Sequence, residues 1–82
     1  MGVPLYVFVR GDTLGLVVLA REDEDVNALA VRLSRAAAPR VRLSGRLTVM
    51  HRGRRLRGEL TLKEAGVRAL DRVDLLAEGD DV

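Results

Sequence analysis

Four stretches of this 82-residue chain alternate apolar and polar side chains at every second position. In "PLYVFVR" (4–10), Leu5, Val7 and Val9 point one way and Tyr6, Phe8 and Arg10 the other, the period of a strand with two unlike faces. "GDTLG" (11–15) supplies turn residues and "LVVLA" (16–20) resumes the pattern, which predicts a hairpin. "RLTVMH" (46–51) sets Leu47 and Val49 against Thr48 and Met50, and "RVDLLA" (72–77) turns Val73 and Leu75 inward. Between the hairpin and the third strand the period changes. Val26, Leu29, Leu33 and Ala37 recur at helical spacing and form one apolar stripe. The acids of "REDED" (21–25) precede it, so Asp23 or Asp25 can cap its free amides and the cluster complements the positive end of the helix dipole. Arg32 and Arg35 lie toward its negative end, and Pro39 stops it.

Shorter pieces complete the chain. "VRLSG" (41–45) reads as extended or loop, "RGRR" (52–55) as a glycine turn, and "LRGEL" (56–60) as a short extended piece. "TLKEAG" (61–66) predicts one helical turn, with Thr61 as its cap and Gly66 as its left-handed stop. The tail "EGDDV" (78–82) reads as frayed, which leaves residues 1–78 as one domain and 79–82 as a loose end. One long helix among such strands predicts an α+β domain: a mixed, four- to five-stranded sheet with the helix packed on one face.

Composition narrows the function. A domain this small buries only about 60% of its unfolded surface, and with no Cys it has neither disulfides nor a thiolate metal cage. An apolar core has to hold it, and 48% apolar residues permit one. The longest apolar run, "LGLVVLA" (14–20), is too short to span a membrane, and the N-terminus lacks the pattern of a secretory signal. A cytoplasmic setting without membrane insertion is the expectation. Fourteen basic residues against twelve acids leave a net charge of only +2, too little to imply a nucleic-acid partner.

Candidate chemistry is sparse. Catalysis needs a positioned base, nucleophile or metal, and His51 is the single histidine, with no Cys to pair with it. At a strand end beside Arg52, it reads most simply as a surface or partly covered side chain. Asp23, Glu24 and Asp25 can attract a cation but fit a helix start better, and "RGD" (10–12) is a chance tripeptide in a turn. No catalytic residue, metal ligand or cofactor site is assigned, and no small-molecule substrate is expected. "HRGRRLRG" (51–58) gathers Arg52, Arg54, Arg55 and Arg57, a cluster able to pair with phosphates or with an acidic protein. No aromatic residue is interleaved for base stacking and acids lie nearby, which argues against nucleic acid.

The order of these segments resembles the ubiquitin-like β-grasp family over nearly the whole chain. "VFVR" (7–10) resembles its opening strand, Val26, Leu29 and Leu33 its buried helix stripe, and "LTVMHRGRRL" (47–56) its third strand and turn. "TLKEAGV" through "VDLL" (61–76) resembles its late short helix and closing strand. The "EAGV…DRVDLL" version is similar to bacterial ubiquitin-like domains of type VII secretion, the YukD/EsaB group and the cytosolic domain of the EccD membrane component. The resemblance implies a sheet in which the second strand lies beside the first, the first beside the last and the last beside the third. Leu62 and Val67 then plug the core under the loop. Conjugated family members end in a flexible diglycine, whereas this chain ends "AEGDDV", so a covalent modifier requires trimming to Gly79.

In that frame, alternation turns Tyr6, Phe8, Val17, Leu19, Met50 and Leu76 to the face opposite the helix. Leu76 and Met50 match positions of ubiquitin's apolar recognition patch. A second strand buried under a loop accounts equally for Val17 and Leu19. The expectation is a non-catalytic module that binds a protein partner, or a second copy of itself, through this face, with the Arg cluster steering acidic partners. The alternative is a ubiquitin-like covalent modifier activated at Gly79.

Overall fold

The computed structural model describes residues 2–12, 15–43 and 45–78. The tail 79–82, and Gly79 with it, lies outside the described residues. Five strands, β1 (Gly2–Val9), β2 (Gly15–Arg21), β3 (Arg46–His51), β4 (Arg54–Arg55) and β5 (Arg72–Glu78), form one sheet in the order β2-β1-β5-β3-β4. The central pair β1–β5 is parallel, and the pairs β1–β2, β3–β5 and β3–β4 are antiparallel. One helix, α1 (Val26–Ala37), crosses one face. The strand order is the one the resemblance implies.

Period two sorts the sheet as expected. Leu5, Val7, Val9, Val49, Val73 and Leu75 are buried against Val26, Leu29, Ala30, Leu33 and Ala37 of α1, while Leu16 and Val18 pack on the rim of this core. Val17 and Leu19 are 70% and 65% exposed, so β2 has one covered face rather than two. Pro4 sits inside β1 without breaking a ladder bond. Its carbonyl accepts from Leu70 on the β5 side, where pairing starts only at Tyr6, so no amide is needed there.

The helix start is closed by a loop. Asp25 accepts from the Ala28 amide at 2.6 Å, and the carbonyls of Leu60 and Gly58 accept from the Val26 and Asn27 amides. Three of the amides that a helix leaves open are thus satisfied, two by residues more than thirty positions away. Asp25→Ala is expected to lower stability by about 0.5–2 kcal/mol in denaturant titration. A change within a few tenths of a kcal/mol contradicts this capping role.

The segment 61–66 is one hydrogen-bonded turn rather than an α-helix. Thr61 and Glu64 cap each other reciprocally, through the Glu64 amide to Thr61 Oγ1 and the Thr61 amide to Glu64 Oε1. Gly66, at φ +79°, reverses the chain, so that its amide reaches Lys63 and that of Val67 reaches Leu62. A single turn cannot propagate, which is why it stops there. The "LRGEL" segment is also not extended: β4 ends at Arg55, and residues beyond it form turns.

Candidate functional site

The face of the sheet opposite α1 carries all six side chains that alternation turns outward, in two unequal halves. On the β1–β2 half, Tyr6 lies opposite Val17 and Pro4 opposite Leu19; Tyr6 is 46% exposed. Phe8 lies opposite Gly15, and its ring occupies the space a β-carbon there would take, 2.9 Å from the nearest ring atom. The Arg72 guanidinium sits 4.1 Å from the centre of the same ring, a cation–π contact. Phe8 is therefore partly covered, at 38% exposed.

On the β3–β5 half, Met50 and Leu76 are half-buried and line a depression of about 510 Å³. Its rim carries Arg10, Arg52 and Arg72 along with Asp71 and Asp74. The two halves are separated by an ion pair on β5, Arg72 Nε to Asp74 Oδ1 at 2.9 Å, because Asp74 stands opposite both Phe8 and Met50. That pair holds the Arg72 proton more tightly than usual, chiefly through its hydrogen bond to Asp74.

Two positions differ from the sequence reading. Thr48 shares the open face with Met50 and Leu76 yet is buried. Leu76 stands opposite it on β5, and Arg55 and Glu78, opposite Met50 and Arg46 to either side of it, join at 2.9 Å. His51 is buried too, not a surface residue. Alternation from Leu47 and Val49 carries it to the helix side of the sheet, where its Nε2 meets Asp71 Oδ2 at 2.8 Å. Asp71 also accepts from the Arg68 amide. These hydrogen bonds, that of the Arg68 amide first, hold its carboxyl below the usual range, against the opposing effect of burial.

The arginine cluster is less available than its sequence suggests. Arg55 is committed to Glu78, Arg57 is paired with Glu59, and Arg52 stands 4.0 Å from Asp71. Arg54 and Arg10 have no ion-pair partner among the described residues, and Arg10 belongs to the β1 alternation rather than to the cluster. The signal for Arg10 was its outward parity beside Phe8, and the same parity around Val73 and Leu75 turns Arg72 and Asp74 outward; what alternation did not show is that these two pair with each other between the halves of the face. Among the described residues no three His, Asp or Glu side chains converge as a metal site would require, and no helix is long and apolar enough to cross a membrane.

No family model and no curated protein sequence matches the chain. Solved structures do match it. A chain of the toluene 4-monooxygenase HD complex with the inhibitor 4-bromobenzoate is similar over 95% of this chain and 100% of its own, at a TM-score of 0.86 and 16% identity. Ubiquitin of Caldiarchaeum subterraneum is similar over the full length of both chains, at a TM-score of 0.80 and 17% identity. The ubiquitin-like domain of Plasmodium falciparum Dsk2 is similar over 93% of this chain and 97% of its own, at 0.77 and 17%. Identities this low speak for shared architecture alone, and on that architecture the chain has the ubiquitin-like β-grasp fold.

Proposed function

We propose that this chain is a non-catalytic protein–protein interaction module that docks through the open face of its sheet. The observation that carries the reading is the exposure of Tyr6, Phe8, Val17 and Leu19 together on a face that α1 leaves uncovered. A small domain has little reason to leave such a group in water unless a partner covers it. Burying four such side chains contributes roughly 6–12 kcal/mol of gross driving force before association costs, ample for micromolar binding. Met50 and Leu76 form the second contact, and Arg10, Arg52 and Arg54 favour an acidic partner. Steering by these charges acts on the association rate more than on final affinity.

The "EAGV…DRVDLL" resemblance supports a bacterial, cytoplasmic secretion-type assembly as the setting. The likeness to a chain of the toluene 4-monooxygenase HD complex favours a second setting, a small chain within an enzyme complex. Both settings use the domain as a docking element. The covalent-modifier alternative differs in kind, since it requires lysine adducts that carry a tail trimmed to Gly79, and mass spectrometry of source-cell extracts detects such adducts.

The test of docking is co-purification from source cells with tagged wild type, Phe8→Asp and Met50→Asp. Each substitution is expected to reduce recovery of the bound partner at least ~10-fold, the effect of about 1.4 kcal/mol at an interface. Undiminished recovery by both variants, with circular dichroism unchanged, refutes the assignment of this face.

A further inference from the structure

The hydrogen bonds of the hairpin fix which backbone groups point to the free edge of β2. Tyr6 of β1 and Arg10 just past its end send their amides toward β5, to the carbonyls of Asp71 and Leu75. Even-numbered β1 residues therefore face β5, and odd-numbered ones face β2, where Val3, Leu5 and Val7 pair with Ala20, Val18 and Leu16. It follows that Val17, Leu19 and Arg21 aim their amides and carbonyls outward, at the edge where the sheet ends.

That edge is partly stoppered by side chains. Arg32, from the middle of α1, donates from Nη2 to the Leu19 carbonyl at 3.1 Å. The same guanidinium is gripped by Glu24, with Nε to Oε2 at 2.9 Å and Nη2 to Oε1 at 3.3 Å. Glu24 in turn accepts from the Arg21 amide through Oε1, and its own amide donates to the Arg21 carbonyl at 3.1 Å. One ion pair thus occupies outward-facing groups at both Leu19 and Arg21. The Glu24 side chain is only 12% exposed and that of Arg32 is 47% exposed, so a covered carboxylate anchors a guanidinium that reaches it from the surface. The Val17 amide and carbonyl and the Leu19 amide have no partner among the described residues.

A strand edge with open amides and carbonyls is a template for another strand. Here the best-fitting occupant is the same strand of a second copy. A two-fold axis through Val18 sets Val17 opposite Leu19 of the second copy, and Leu19 opposite its Val17. Both residues have the outward parity that such a pairing needs. Their side chains, 70% and 65% exposed in the single chain, would then adjoin on one face of a continuous sheet. No charge falls within this core of four residues.

We propose that the Glu24–Arg32 pair is an edge guard, which keeps β2 from pairing antiparallel with the β2 of a second copy. The proposal is independent of docking through the open face, since it concerns edge backbone groups. To pair, each of the two wild-type strands must surrender its charge-assisted bond at Leu19, a penalty corresponding to ~10–100-fold per copy and so ~100–10,000-fold in the dimer dissociation constant. Arg32→Ala removes the stopper at Leu19, and Glu24→Ala releases the guanidinium together with the Arg21 amide.

Sedimentation equilibrium of the full chain, with melting curves to confirm folding, tests the guard. Arg32→Ala is expected to dimerise at least ~100-fold more tightly than wild type, with slowed amide exchange at Val17 and Leu19. Adding Val17→Lys to Arg32→Ala is expected to restore the monomer, because a lysine on the edge opposes strand addition. The proposal is overturned if Arg32→Ala and Glu24→Ala associate no more tightly than wild type. Dimerisation that survives Val17→Lys, or that leaves the Val17 and Leu19 amides exchanging as in the monomer, overturns it equally.

Discussion

Leu62→Ala is expected to destabilise the domain by about 2–5 kcal/mol, the cost of a large-to-small change in a closed core. Leu62 is completely buried and belongs to the cluster that includes Leu5, Leu29, Leu33 and Leu75. Its backbone is tied as well: the amide donates to the Glu24 carbonyl at 2.9 Å, and its carbonyl accepts from Val67 at 3.0 Å. These bonds prevent the loop from collapsing into the vacated space, which places the cost toward the upper part of the range. Domains of this size hold only about 5–15 kcal/mol in total, so one side chain supports a large share. The melting temperature should fall by ~10–40 °C, at about 4–8 °C per kcal/mol. A loss below about 1 kcal/mol contradicts the plugging role assigned to this residue. The loop 58–66 serves the fold at two points. Its carbonyls close the start of α1 and its leucine closes the core beneath.

Most of the fold was legible because burial follows simple periods. Leu5, Val7 and Val9 announce a one-sided strand, and Val26, Leu29, Leu33 and Ala37 announce a one-sided helix. Leu62 and Val67 follow no period, and their burial was reached through the ubiquitin-like resemblance. The six outward side chains of the candidate face were legible for the same reason as the core, since parity places both sets. What parity cannot supply is register. Alternation turns Thr48 to the open face, and only the pairing of β3 with β4 and β5 sets Leu76 opposite it and Arg55 and Glu78 to either side. The division of the face by Arg72 and Asp74 likewise depends on which β5 residue stands opposite Phe8. His51 is instructive in another way. Its inward position follows from counting two past Val49, but its partner Asp71 is twenty residues away in a segment with no period. A lone histidine beside arginines reads as surface until that contact is known.

Charge shows the same limit. Read in sequence, Arg52, Arg54, Arg55 and Arg57 form one basic run. In the fold, Arg55 and Arg57 spend their charge on Glu78 and Glu59, and Arg10 joins Arg52 at the rim of the Met50–Leu76 depression. The steering charge of the proposed face is thus drawn from β1 and the β3–β4 turn together. Exposed pairs such as Arg57–Glu59 contribute little to stability, so their effect is mainly on the potential a partner meets.

Asp71→Asn is expected to destabilise the domain by about 1–3 kcal/mol near pH 7, and by less as the pH falls below ~4. Asp71 joins three parts of the fold: its carboxylate accepts from His51 at the end of β3 and from the Arg68 amide, and its carbonyl accepts from Tyr6 of β1. The asparagine keeps the carbonyl bond and one acceptor but removes the charge that both donors face. The sign of the pH effect follows from the direction of the shift. The Arg68 and His51 hydrogen bonds depress the folded-state value of Asp71 below the ordinary carboxylate value near 3.9. Acid therefore binds the unfolded chain first, and this contribution to stability is complete above about pH 4. It is lost as the pH falls through the folded-state value. Asp23 and Glu59 are depressed in the same direction by their own hydrogen bonds, but both are present in wild type and variant alike and cancel in the comparison. Denaturant titrations of the two proteins near pH 7 and near pH 3 isolate Asp71. Converging stabilities in acid support the assignment, whereas a constant gap between the two proteins shows that the carboxylate's charge is not what the His51 contact uses.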